Sequence, residues 1–186
     1  MIELTRLRVL LVEDNVLDAK TMQRTLGAAE ETEYVLDLVG SLGEALALLG
    51  EEVFDCVLLD LSLPDSEGLV SIEAVTEHAP HTPVVVLTGL DDPATAIGAV
   101  RRGAQDYLTK QRLEPELVSR SIRYAVARNH SENELRNANE MLDIFHERER
   151  IGRDLHDTVI QQLFATGMTL QAVAARAAPE VKQAVS

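Results

Sequence analysis

The chain has 186 residues, of which 46% are hydrophobic, so it holds enough apolar material for a packed core and is not a disordered chain. Its formal net charge of −14 argues against sequence-independent DNA or RNA binding and against docking on anionic membranes, because both depend on Lys and Arg. The single Cys56 cannot form an internal disulfide, and no uncharged apolar stretch is long enough for a membrane span, so we expect a cytoplasmic protein.

Up to about residue 112, short apolar runs alternate with amphipathic helical patterns. Runs such as VLLV and VVVL are apolar on both faces, which is typical of central strands in a parallel sheet. Five strands alternating with five helices predict an α/β fold with a doubly wound, five-stranded parallel sheet. The predicted strands are Arg8–Val12, Tyr34–Val39, Cys56–Leu61, Val84–Thr88 and Asp106–Thr109, and the predicted helices lie near 16–28, 41–49, 68–79 and 93–102, with a fifth beginning near Glu114.

From Glu116 to Ala178 the sequence has one long helical pattern without a proline. At about 1.5 Å per residue such a helix is roughly 95 Å long, too long for one compact domain, so we expect it to project. We also expect it to form a homodimer as a coiled coil and helical bundle. The coiled-coil spacing is carried by Leu135, Ala138, Leu142 and Phe145, and the broader bundle stripe by Ile151, Leu155, Val159 and Leu163.

Polar and charged side chains stand at the carboxyl ends of the predicted strands, where open parallel sheets gather their ligands. The first strand ends in Glu13 and Asp14, and the third ends near Asp60. The fourth ends in Thr88, and the fifth is followed by Lys110. Three carboxylates would repel one another without a cation, so the cluster indicates a metal site beside a balancing amine.

The set ED…D-x-x-L-P-x-x-x-G…T-G…Y-x-x-K resembles the receiver domain of two-component response regulators over about residues 6–128. The resemblance implies a flavodoxin-like fold in which Asp60 is phosphorylated. It also implies that Thr88 and Lys110 contact the phosphoryl oxygens. These residue types suit the chemistry, because a carboxylate attacks phosphorus while an amine and a hydroxyl stabilise the added charge.

The same resemblance implies a Mg²⁺ ion and a switch. The ion would be held by Asp14 and Asp60 directly, by Glu13 through water and by the main-chain carbonyl of Ser62. Thr88 and Tyr107 occupy the positions of the switch residues. A haloacid-dehalogenase-like phosphatase also forms an aspartyl phosphate, but that family needs D-x-D where this chain has Asp60-Leu61-Ser62.

One departure from the receiver pattern follows the lysine. Family members usually have a proline there, joined through a cis peptide, whereas Gln111 follows Lys110 in this chain. A cis bond before a residue other than proline costs about 3 kcal/mol or more. We therefore expect the loop after the fifth strand to differ in shape.

The stretch E-R-x-R-I-x-R-D-L-H-D-x-x-x-Q resembles the dimerisation and phosphoacceptor helix of nitrate-sensor-like histidine kinases over about residues 147–178. The resemblance implies that His156 receives phosphate from ATP and that Asp157 assists as acid or base. Gln161 would position water when such a kinase acts as a phosphatase. A carboxylate beside an imidazole can orient it for this role as nucleophile.

These features predict three segments: a receiver at 1–128, a coiled-coil linker helix at 129–150 and the incomplete first helix of a dimerisation and phosphoacceptor domain at 151–186. The expected parent is a histidine protein kinase in phosphorelay signalling, with a cognate kinase or regulator as partner. ATP would act only through a separate domain, because no Gly-rich phosphate loop occurs in the sequence. The alternative is a non-enzymatic response regulator that signals through coiled-coil dimerisation.

Overall fold

The computed structural model describes residues 5–89 and 93–183. The chain divides into two units between Glu134 and Leu135. Among the described residues, no helix combines the length and the apolar composition that a bilayer crossing needs.

The first unit contains a five-stranded sheet in which all neighbouring strands are parallel. The strands of the sheet are β1 (Thr5–Val12), β2 (Thr32–Val39), β3 (Cys56–Asp60), β6 (Val84–Thr88) and β7 (Asp106–Thr109), while β4 (Ser62–Leu63) and β5 (Ser66–Glu67) form a separate small hairpin. The spatial order of the sheet is β2-β1-β3-β6-β7, so the order reverses beside β1 and opens a crevice at the carboxyl ends of β1 and β3. The predicted doubly wound parallel sheet is therefore confirmed.

Five helices connect and cover the sheet, as the periodicity predicts. Two of them begin at capping residues: the side chain of Asn15 accepts from the backbone N–H of Leu17, and the side chain of Ser41 accepts from that of Glu44. The helices are α1 (Val16–Gly27), α2 (Leu42–Glu51), α3 (Val70–His78), α4 (Pro93–Arg101) and α5 (Pro115–Gln183). The last helix runs through both units and extends beyond the predicted end at Ala178.

The core consists of two apolar layers, one on each face of the sheet. Alternate residues of β1 serve the two layers, because successive side chains of a strand point to opposite faces. Val9 and Leu11 pack in the layer that includes Met22 and Ile122, on the side of α1 and α5. Leu10 and Val12 pack in the layer that includes Ile72 of α3. Burial on both faces explains the continuous apolar runs of these strands.

A hairpin that the sequence pattern did not predict follows β3. It pairs β4 (Ser62–Leu63) with β5 (Ser66–Glu67) in antiparallel fashion. The turn is closed by Gly68, which has a positive φ of 66° and donates its backbone N–H to the carbonyl of Leu61 at 2.8 Å. The D-x-x-L-P-x-x-x-G motif thus encodes a compact turn directly after Asp60.

Candidate functional site

The sheet register brings the predicted site residues to one edge. Asp60 is the last residue of β3 and pairs with Leu87 of β6, so Thr88 lies one position further along the neighbouring strand. Thr88 in turn pairs with Thr109 of β7, which Lys110 follows directly. The observed topology therefore brings these strand ends together, as the sequence predicts.

The carboxylates of Glu13, Asp14 and Asp60 form a compact cluster at this edge. Each offers one oxygen, and these oxygens lie within 4.8 Å of one another. The side chains of Glu13 and Asp60 are 1% and 3% exposed, while Asp14 is exposed at the mouth of the cluster. A set of carboxylate oxygens with one open side suits a hard divalent cation such as Mg²⁺ or Ca²⁺.

Lys110 is the cation that faces this cluster. Its Nζ lies 2.6 Å from Oε2 of Glu13 and 3.1 Å from Oδ2 of Asp60, and its side chain is 17% exposed. Burial alone would lower the pKa of Lys110, but its carboxylate partners raise that pKa above the ordinary lysine value. The amine therefore stays charged and balances the buried acids.

Glu13 is held at both of its carboxylate oxygens. Its Oε1 accepts from the backbone N–H of Asn15 at 3.1 Å, and its Oε2 faces the ammonium of Lys110. Burial raises the pKa of Glu13, and the nearby Lys110 opposes that rise. Its backbone N–H donates to the carbonyl of Val39 at 2.9 Å, which fixes the residue at the end of β1.

Asp18 also belongs to this site, although the sequence reasoning did not include it. Its Oδ2 accepts a hydrogen bond from Nζ of Lys110 at 2.9 Å, and its side chain is 39% exposed. The residue stands in the first turn of α1, and its backbone N–H lies 3.4 Å from Oδ1 of the N-cap Asn15. Periodicity gives no signal for this contact, because Asp14 precedes α1, which begins at Val16.

The other predicted site residues lie around this centre. Thr88 is 6% exposed at the end of β6. Ser62 stands in β4, two residues after Asp60, and pairs with Glu67. Tyr107 lies in β7, half-buried against the core layer on the side of α3. Ser62 as a ligand and Tyr107 as a switch remain predictions.

The loop after β7 takes its shape without a cis peptide. Every described peptide bond is trans, and residues Lys110–Arg112 form a single 3₁₀ turn. The side chain of Gln111 donates to the carbonyl of Gly89 at 3.5 Å, at the end of β6. Gln111 thus links the turn that bears Lys110 to the residue that follows Thr88.

The predicted phosphoacceptor residues of the tail lie on α5. Gln161 is exposed on this helix. His156 and Asp157 fall within the helix, but their side chains lie outside the described residues, as do those of Phe145 and Leu155. Their roles remain predictions from the sequence.

Known proteins resemble both parts of the chain. The response regulator receiver domain family matches residues 9–122, and the histidine kinase family matches residues 147–186. The swarming motility regulation protein RssB of Serratia marcescens is 34% identical over 114 residues, which are 61% of this chain and 51% of that protein. The photosynthetic apparatus regulatory protein RegA of Cereibacter sphaeroides is 37% identical over 102 residues, 55% of this chain and 54% of that protein. The chain thus spans about half the length of these curated relatives.

Solved structures show the same fold. A response regulator protein from Burkholderia pseudomallei with a phosphorylated aspartic acid, calcium ion and citrate is 31% identical, with a TM-score of 0.55 over 70% of this chain and 74% of that one. The receiver domain of an HD-domain-containing protein from Pseudomonas fluorescens Pf-5 is 26% identical, with a TM-score of 0.61 over 69% and 93% of the two chains. A receiver followed by a histidine kinase segment is the domain combination of two-component phosphorelay signalling. The family match, the fold and the clustered acids together show that this chain belongs to the response regulator receiver domain family.

Proposed function

We propose that Asp60 is the phosphoacceptor of the receiver. The observation that carries this proposal is the position of its carboxylate, which is nearly buried and lies 3.1 Å from the ammonium of Lys110. A carboxylate oxygen of Asp60 attacks the phosphorus of the donor, and the bond from phosphorus to the donor's leaving oxygen breaks. With acetyl phosphate as donor, the products are the aspartyl phosphate and acetate.

The neighbouring residues fit the charge that this step delivers. Lys110 and Thr88 would stabilise the phosphoryl oxygens, because an ammonium and a hydroxyl donate hydrogen bonds to them. Asp14 and Asp60 would hold Mg²⁺, with Glu13 binding through water and Ser62 through its main-chain carbonyl. When bound, the ion supplies positive charge to the phosphoryl oxygens. The phosphorylated aspartic acid and calcium ion in the Burkholderia pseudomallei relative support this assignment.

Intact-mass measurement after incubation with acetyl phosphate and Mg²⁺ tests the proposal. We expect one phosphoryl group per chain, and none in the Asp60→Asn variant. Glu67→Gln is the matched control, because it removes an exposed acid from the adjacent hairpin. An adduct that persists in Asp60→Asn would show that the phosphate resides elsewhere.

The organisation of the chain is a further part of the proposal. Residues 1–128 would form the receiver, 129–150 a linker helix and 151–186 the first helix of a dimerisation and phosphoacceptor domain. His156 would accept phosphate from ATP bound by another domain, with Asp157 and Gln161 assisting. The histidine kinase match over residues 147–186 supports this assignment.

A homodimer through α5 is proposed on the exposure of its apolar side chains. Leu135 and Leu163 are each 67% exposed, and Leu142 is 55% exposed. A second copy of the chain, paired along this stripe, would remove these side chains from water.

A non-enzymatic regulator that signals only through coiled-coil pairing is the competing function. It shares the Asp60 chemistry, and in it His156 has no phosphate to receive. The sequence of the gene beyond Ser186 distinguishes the two functions, because a kinase needs an ATP-binding domain with an Asn-bearing helix and a Gly-rich lid.

A further inference from the structure

The ammonium of Lys110 faces three carboxylates. Its Nζ lies 2.6 Å from Glu13, 2.9 Å from Asp18 and 3.1 Å from Asp60. A lysine ammonium carries three N–H donors and no acceptor. The contact with Asp18 is a hydrogen bond, whereas Glu13 and Asp60 are ion-pair partners of the same ammonium, so the group is surrounded by negative charge before any phosphoryl group arrives.

A phosphoryl group on Asp60 needs a donor from the same ammonium. The ammonium then shares its donors between the phosphoryl oxygens and the three carboxylates, and the exposures of those carboxylates differ. The side chains of Glu13 and Asp60 are 1% and 3% exposed, whereas that of Asp18 is 39% exposed. A released Asp18 carboxylate can be solvated, while a released Glu13 would stay charged and buried, which is far less favourable.

Asp18 is also fixed in place independently of Lys110. It stands in the first turn of α1, where the side chain of Asn15 accepts from the backbone N–H groups of Leu17 and Asp18. A carboxylate in the first turn interacts favourably with the helix dipole. Asp18 can therefore lose its contact with Lys110 without any movement of α1.

We infer that Asp18 is a positioning residue that holds Lys110 before phosphorylation and competes with the incoming phosphoryl group for one of its donors. This inference rests on the proposed phosphorylation of Asp60. Because the Lys110–Asp18 contact exists only in the unphosphorylated state, it slows uptake of the phosphoryl group. The Lys110–Asp18 contact is already broken when the aspartyl phosphate is hydrolysed, so the hydrolysis rate does not depend on Asp18.

The test compares uptake and hydrolysis rates of the whole chain with acetyl phosphate and Mg²⁺, measured by intact mass. In Asp18→Asn we expect uptake to be roughly two- to five-fold faster, the range set by a partly exposed ion pair, and hydrolysis to be unchanged. Asp18→Glu keeps the competing charge and should return uptake to the wild-type rate. Glu67→Gln is the control, since it removes one exposed negative charge from the hairpin after Asp60 and makes no described contact with Lys110.

The outcomes distinguish a failure of this inference from a failure of the proposed phosphorylation of Asp60. A wild-type chain that takes up no phosphate at Asp60 overturns both. If the wild type is phosphorylated but Asp18→Asn takes up phosphate at the same rate as Glu67→Gln, the loss of one negative charge explains the rate. The proposed competition between Asp18 and the phosphoryl group is then wrong. Slower uptake in Asp18→Asn overturns it as well, since Asp18 would then assist Lys110.

Discussion

Nζ of Lys110 lies 3.1 Å from Oδ2 of Asp60, across the carboxyl ends of two strands that are not neighbours in the sheet. The strand between them, β6, contributes Thr88 at the same level. Asp60 therefore lies at a sheet edge where the neighbouring strand ends in a hydroxyl-bearing residue and the next strand is followed by an ammonium. This arrangement places positive charge where an added phosphoryl group would need it.

The first prediction concerns the loss of that ammonium. We expect Lys110→Met to lower phosphoryl uptake at Asp60 roughly a hundred-fold, the usual effect of removing one charge-stabilising donor. Uptake is measured by intact mass against time with acetyl phosphate. Lys20→Met is the control, because it removes an exposed lysine of α1. Equal uptake in both variants would remove Lys110 from the chemistry.

Lys110→Met should also lower the stability of the fold. The variant leaves the nearly buried Glu13 and Asp60 without their cation, and we expect a loss of about 1–3 kcal/mol in the free energy of unfolding. Urea unfolding at neutral pH measures it. A urea midpoint equal to that of Lys20→Met would mean that Glu13 and Asp60 do not need Lys110 for the stability of the fold.

A second prediction addresses the divalent cation. A ligand that binds only the folded state stabilises it by about 2.7 kcal/mol at a hundred times its dissociation constant. We expect Mg²⁺ alone to raise the melting temperature of the wild type. Asp14→Asn should reduce that shift, whereas Glu67→Gln, outside the carboxylate cluster, should retain it. An unchanged shift in Asp14→Asn would place the ion at another site.

Much of this site could be predicted from the sequence because it depends on strand ends. Runs such as the buried Val84–Thr88 identify a central strand, and a parallel sheet then brings Asp60, Thr88 and Lys110 to one edge. The contact of Asp18 with Lys110 is different. It depends on the entry angle of α1 and on a side-chain rotamer, and neither has a signature in periodicity.

The hairpin after Asp60 was missed for another reason. Its strands have two residues each, too few for alternation to be detected. The sequence contains the L-P-x-x-x-G signature, but it does not reveal that Asp65, within that turn, accepts hydrogen bonds from the first residues of α2. Such long-range capping depends on how two loops are packed against each other, which a single sequence does not reveal.

A third prediction follows from that capping contact. Oδ1 and Oδ2 of Asp65 accept from the backbone N–H groups of Leu42 and Gly43, at 2.9 and 2.8 Å, in the first turn of α2. The bond from Gly43 and then that from Leu42 hold the pKa of Asp65 below its ordinary value. The stabilisation is therefore fully present above the ordinary aspartate pKa and is lost as pH falls through the lowered one.

The acid limb of the stability profile measures this effect. Asp65→Asn should be less stable than the wild type at neutral pH and should converge with it at low pH. Ser41→Ala removes the neighbouring cap, which accepts from Glu44 at 3.3 Å and does not titrate, so its deficit should stay constant across the same range. A constant deficit in Asp65→Asn as well would contradict the assignment.

A fourth prediction concerns His156. Incubated alone with labelled ATP, the chain should stay unlabelled, because its sequence carries no Gly-rich phosphate loop. Labelling should begin when the ATP-binding domain of a nitrate-sensor-like kinase is added in trans. His156→Ala should abolish it, and His146→Ala, which removes an exposed histidine of the same helix, should not. Labelling of the isolated chain at His156 would mean that catalysis resides within it.

The last prediction is that the chain dimerises through α5. Leaving Leu135, Leu142 and Leu163 in water is unfavourable, since each large apolar side chain contributes about 1.5–3 kcal/mol when fully buried. Light scattering should give about twice 20.4 kDa for the whole chain, and a chain cut after Arg128 should be mainly monomeric. Leu142→Lys should weaken the dimer, while Asn137→Lys adds the same charge to an exposed polar position and should not. If the cut chain stays dimeric and the isolated tail is an unfolded monomer, the receiver supplies the interface and α5 does not.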